Sequence, residues 1–183
     1  MRYLTLEING KLQPLDRGEI YEDILMEELE KAGIGSVDGG GTLMEKDGSI
    51  ALCDIGISLN NGQEAMGKLM LILQALCLPK GSRLLLDGDE AEPIPLGCLE
   101  GLALWLNGTE LSEEVYKTCD INHVVAELNR LLGDGGQMYS YWQGPNDTAL
   151  YFYGTSFEDM KLKMEPFLAE YPLCQKHRIE RVA

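Results

Sequence analysis

Leu4, Leu6 and Ile8 alternate with Thr5, Glu7 and Asn9, so residues 3–9 read as a half-buried strand. The period then changes to helical. Over residues 19–32, Tyr21, Ile24, Leu25, Leu29 and Ala32 fall on one arc and Glu19, Asp23, Glu27 and Glu30 on the other, with Glu28 a lone carboxylate inside the apolar arc. Gly33 supplies the stop. Residues 37–44 and 50–59 have strand composition on either side of Lys46-Asp47-Gly48, which predicts a hairpin. A second helix, capped by Asn61 with Glu64 at the capping-box position, places Ala65, Met66, Leu69, Met70, Ile72, Leu73, Leu76 and Cys77 on one face. Residues 82–86 give a closing strand.

The same order returns further along. Residues 101–106 read as a strand; Asp120 caps a helix whose core face is Ile121, Val124, Val125, Leu128, Leu131 and Leu132, and Gly133 ends it. Residues 137–143 and 148–153 form a second hairpin, a helix starts at Ser156, and residues 177–182 close the set. Pro166 is expected to kink or split that helix. Leu4-Thr5-Leu6-Glu7-Ile8-Asn9-Gly10 lies over Leu102-Ala103-Leu104-Trp105-Leu106-Asn107-Gly108, and Asn61-Gly62-Gln63-Glu64 over Thr155-Ser156-Phe157-Glu158. Met66, Met70 and Leu73 then fall over Met160, Met164 and Phe167, and each copy stops at a proline, Pro79 or Pro172. Two copies of β-α-β-β-α-β predict an α+β protein of two tandem ferredoxin-like units, each an antiparallel sheet with its helices on one face. The expected units are residues 1–92 and 93–183, joined by the acidic, doubly prolined stretch 87–95.

Charge narrows the classes of partner. Of 183 residues, 30 are acidic and 15 basic, a net charge of −15, so a nucleic-acid backbone would be repelled and a basic protein attracted. The longest apolar run, residues 69–73, is far below the ~20 residues needed to span a bilayer, and no apolar leader precedes Glu7. A cytoplasmic protein with no membrane contact is expected. Five scattered cysteines without a Cys-x-x-Cys pair argue against a zinc finger, a redox pair or a secreted disulfide scaffold, and Cys53 and Cys77 read as small buried hydrophobes.

Candidate chemistry is sparse. Asp38-Gly39-Gly40-Gly41-Thr42 leads into another strand, where a phosphate cradle would need it to open a helix, so a bulged edge strand or a close backbone approach is the better reading. Cys119, His123 and Glu127 are spaced by four on one helix and form a stripe off the apolar arc that reads as a solvated face, because no fourth ligand accompanies it. Asp87, Asp89, Glu90 and Glu92 resemble the start of a calcium loop without its remaining ligands and read as a solvated linker. No metal, cofactor or catalytic residue is expected. The unusual composition is Tyr139, Tyr141, Trp142, Tyr151, Phe152 and Tyr153 on the second hairpin, which alternation distributes over both faces of the sheet. One face meets the helices; the other meets the first half, a second subunit, a partner or a ligand.

Glu100 to Gly108, Cys119-Asp120-Ile121-Asn122-His123, Ser140 to Pro145, Thr148 to Gly154 and Tyr171-Pro172-Leu173-Cys174-Gln175 together resemble an uncharacterised bacterial family of tandem ferredoxin-like proteins. The resemblance covers most of the second half and implies the fold; it carries over no activity and no site residue. The function expected is interaction: an immunity-type inhibitor of a basic bacterial toxin, with Glu19, Asp23, Glu27 and Glu30 supplying charge and Tyr139, Tyr141, Trp142, Tyr151 and Tyr153 supplying contact. The alternative is a small-molecule binder or enzyme with a pocket between the halves, and a homodimer through the sheet is the third reading.

Overall fold

The computed structural model describes residues 1–86 and 92–183, which divide into two compact units, Met1–Cys98 and Leu99–Ala183. In the first unit, β1 (Arg2–Ile8) leads into a helical stretch made of α1 (Pro14–Arg17), a π-helical turn Gly18–Glu22, and α2 (Asp23–Ala32). The helix therefore starts before residue 19, with Pro14 in its first turn, and Gly33 closes it in the left-handed conformation (φ 64°). The hairpin of β2 (Gly35–Met44) and β3 (Ile50–Leu59) follows, then α3 (Gln63–Ala75), β4 (Ser82–Leu85) and β5 (Ile94–Leu96). Strand order is β2-β3-β1-β4-β5, every pair antiparallel.

Three further details of this unit differ from the sequence reading. The cap of α3 is Gly62 and no side chain caps it, so Asn61 does not play that part. Cys77 is exposed, because the chain leaves the helix there in a left-handed turn (φ 48°). Ile94–Leu96 adds to β4 as a fifth strand, so residues 93–98 stay with the first unit. The linker carboxylates Asp87, Asp89 and Glu90 lie outside the described residues.

The second unit contains β6 (Glu100–Asn107), α4 (Glu113–Thr118), α5 (Ile121–Leu132), β7 (Gly136–Gln143), β8 (Asp147–Gly154), α6 (Phe157–Glu170) and β9 (Arg178–Arg181). Its sheet order, β7-β8-β6-β9, repeats the first four strands of the first sheet position for position. Ser156 caps α6 through the Asp159 amide and Asp120 caps α5 through the Asn122 amide. Helix α6 runs through Pro166 without splitting. Its core joins Leu102, Leu104, Leu106, Leu150 and Phe152 of the sheet to Val124, Leu128 and Leu132 of α5 and Met160, Met164 and Leu168 of α6.

Register makes the duplication concrete. Leu4 faces Ile57 where Leu102 faces Phe152, Leu6 faces Ile55 where Leu104 faces Leu150, and Leu6 faces Leu84 where Leu104 faces Ile179. Both edge strands also bulge at one equivalent place, Asp38 in β2 and Tyr139 in β7.

Candidate functional site

On the face of each sheet away from the helices, the aromatic side chains of the second unit stand where the first unit has polar residues or glycine. Residues directly opposite one another on neighbouring strands share a face. In the second unit, Trp142, Ala149, Trp105 and Arg178 form one row, Ser140, Tyr151, Ala103 and Glu180 the next, and Gln137, Tyr153 and Gly101 a third. Each row sets a large ring beside small residues. A Cβ on Gly101 would lie 2.8 Å from the Tyr153 ring, so only glycine leaves that ring its place. Trp105 and Trp142 meet edge to face at 5.9 Å, and Tyr139 and Tyr153 approach to 5.1 Å. Arg178 lies 4.9 Å from the Trp105 ring centre while the indole N–H donates to Glu180 at 3.0 Å.

The row of the first unit equivalent to that of the two tryptophans is polar. Gly41, Asp54, Glu7 and Arg83 stand where the two tryptophans, Ala149 and Arg178 stand in the second, and Arg83 pairs with Glu7. Asp38, at the bulge equivalent to Tyr139, accepts a hydrogen bond from Ser58, the equivalent of Tyr153. On the helix face of β2, Arg17 reaches from the end of α1 to Glu22 (3.2 Å) and to Thr42 Oγ1 (2.8 Å), beside Gly40. The triple glycine is thus a strand over which an ion pair lies on one side and the Asp54 carboxylate on the other.

These rows place the predicted aromatic residues unequally. Tyr151 (2% exposed) and Tyr153 (1%) are buried with Ala103 and Ala149, and Tyr139 and Trp142 pack half-buried against them. Tyr141, at 49% exposure, lies on the opposite face, across from Leu150. The bulge at Tyr139 shifts the alternation by one residue, which puts Trp142 with the tyrosines and Tyr141 apart from them. Trp105, Arg178 and Glu180 complete the layer; alternation alone could not assign them to it, because their neighbours are set by the register of three strands.

On α2 and the turn before it, Glu19, Asp23, Glu27 and Glu30 are all exposed, with Glu27 held by Lys31 at 2.9 Å. Glu27 and Glu28 together raise the Lys31 pKa through hydrogen bonds. The Cys119, His123 and Glu127 stripe does not converge. His123 packs its ring against Tyr171 (5.2 Å) and Phe167 (5.8 Å), and Glu127 bonds Arg130, which lowers the Glu127 pKa. Cys119 lies toward Cys174, whose thiol is pushed up to about 11 by burial first and by Cys119 second. Among the described residues no group of three or more His, Cys, Asp or Glu side chains is placed to hold a metal ion, and no helix is long and apolar enough to cross a membrane.

No family model and no curated protein matches the chain. Among solved structures, it is similar to an unknown protein from Galdieria sulphuraria at 11% identity, over 98% of this chain and 96% of that one, with a TM-score of 0.28. It is similar to the first two RRM domains of a yeast poly(U) binding protein at 13% identity, over 100% and 99% of the chains, with a TM-score of 0.27. The ligand-free regulatory subunit of aspartate kinase from Thermus thermophilus shares 14% identity over 91% and 90% of the chains, with a TM-score of 0.28. The tandem ferredoxin-like assignment rests on strand order and register, and these likenesses add no chemistry to it.

Proposed function

We propose that this protein acts by binding a basic protein partner and not by catalysis, in the manner of an immunity-type inhibitor of a basic bacterial toxin. The observation that carries the reading is the row of exposed carboxylates Glu19, Asp23, Glu27 and Glu30 on a chain of net charge −15. Such a surface accelerates encounter with a cationic partner and rejects anionic ones. Tyr141 and the accessible edges of Tyr139 and Trp142 provide aromatic contact, whereas Tyr151 and Tyr153 serve the interior of the second unit. The bacterial tandem ferredoxin-like proteins that the second half resembles are the natural group in which to place it.

The test compares immobilised wild-type protein with a triple variant, Glu19→Lys, Asp23→Lys and Glu30→Lys, in extracts of the source organism at low and high salt. A basic protein retained by the wild type, with affinity reduced about tenfold or more by the variant and by salt, is expected. An identical set of captured proteins on both columns would refute the electrostatic reading.

A further inference from the structure

Cys77 and Cys98, far apart in sequence, meet at the end of the first unit. Cys77 follows α3 in the left-handed region (φ 48°), where glycine is the usual residue. Cys98 follows β5, and its amide donates to the Leu78 carbonyl at 2.8 Å. The two backbones come so close that a Cβ on Gly97 (φ 103°) would lie 2.0 Å from the Pro79 carbonyl oxygen. Both cysteines are exposed, and the Cys77 thiol lies close enough to Cys98 to raise its pKa. Beside them, Cys98 lines an open cavity of about 300 Å³ with Met70, Leu73, Leu78 and Leu96, which gives a small oxidant access.

We propose that Cys77 and Cys98 form a reversible dithiol–disulfide pair, oxidised by hydrogen peroxide, that clasps β5 to the end of α3. Strand β5 is the element the second unit lacks among its described residues, and it is held to β4 by three residue pairs only. It is therefore the strand with most to gain from a covalent tie. One thiolate attacks a peroxide oxygen, the O–O bond breaks, and hydroxide leaves a sulfenic acid behind. The second thiolate attacks that sulfur, forms the S–S bond and expels a second hydroxide. The two thiol protons convert both hydroxides to water, and the two electrons lost by sulfur reduce the peroxide. A dithiol reductant reverses the step by exchange.

Burial, and then the neighbouring Cys77, hold Cys98 above the ordinary thiol value of 9.0, with Lys80 opposing them. Oxidation therefore accelerates as the pH rises toward that value and beyond. Cys53 and Cys174 are buried, so neither thiol meets the oxidant as readily.

The experiment exposes wild-type protein to hydrogen peroxide, blocks remaining thiols by alkylation, and maps the peptides without reduction. A single cross-linked Cys77–Cys98 peptide, a loss of about 2 Da per chain, and slower amide exchange in β5 that dithiothreitol reverses are expected. In Cys98→Ser, Cys77 should stop at the sulfenic acid and be trapped by dimedone. Recovery of Cys77 and Cys98 as separately alkylated peptides from peroxide-treated wild type would overturn the pairing. A cross-link that leaves β5 exchange unchanged would overturn the clasp. Both readouts come from the wild-type chain, so neither depends on the variant folding.

Discussion

A methyl group on Gly40 has no room: its Cβ would lie 2.7 Å from the Asp54 carbonyl, 2.9 Å from Arg17 Nε and 3.0 Å from Glu22 Oε2. Arg17 is only 8% exposed, so it cannot swing into solvent without leaving Glu22 and Thr42 behind. Gly40→Ala is expected to lower stability by about 1–3 kcal/mol in urea unfolding. Gly67 is the opposite case, an exposed position inside α3 where nothing lies within 4 Å of the added atom. Gly67→Ala should raise stability by about 0.5–1 kcal/mol, since the glycine there only adds freedom to the unfolded chain. The glycine run could be read as a strand that something approaches closely. Its neighbour could not be named, because Gly18 disguises the join between α1 and the π-helical turn and leaves Arg17 outside the predicted helix.

At the scale of elements, the aromatic layer of the second sheet behaves as a packed interior with one outlier. Tyr153 fills the space left by Gly101 and meets Tyr139, so Tyr153→Ala should cost about 3–5 kcal/mol. Tyr141, half exposed on the other face, should cost less than about 1 kcal/mol when replaced by alanine. Equal losses in the two urea curves would contradict this partition. The strand alternation, both hairpins and the Asp120 cap were legible because their causes are local. Helix equivalence was legible only to within one residue. Methionine identity suggested Met66 over Met160 and Met70 over Met164, whereas burial equates Ala65 with Met160, Leu69 with Met164 and Leu73 with Leu168. That alignment keeps the numbering difference of 95 seen from Ile57 to Phe152 and from Leu84 to Ile179. Methionine can sit at the margin of a core as well as within it, so its recurrence is a weaker guide than spacing. Strand β5 was missed because a three-residue strand with a central proline shows no period.

For the whole molecule, the competition is between long-range repulsion at a net charge of −15 and short-range pairs at the surface. Lys68 with Glu64, Lys117 with Glu113, Lys176 with Glu110 and Arg130 with Glu127 are exposed pairs, and each contributes little in water. Repulsion acts over many ångströms, and salt with a Debye length of roughly 10 Å at 0.1 M removes it before it removes contacts of 3 Å. Raising sodium chloride from about 20 to 300 mM at neutral pH should therefore raise the thermal midpoint by about 2–5 °C. Acid acts in two stages. Glu64, Glu110 and Glu127 have pKa values lowered below 4.5 by Lys68, Lys176 and Arg130, and Asp47 below 3.8 by Ser49. A lowered carboxylate pKa adds stability above the unfolded value, and that stability is lost as the pH falls through the folded one. Between neutrality and the carboxylate range, by contrast, protonation first reduces the net negative charge while these pairs persist. Low-salt stability should accordingly peak near pH 5–6, decline below about pH 4, and show a flatter profile in high salt. A midpoint that falls on adding salt at pH 7 would mean that the pairs outweigh the repulsion, and the acidic surface would then be part of what holds the fold together.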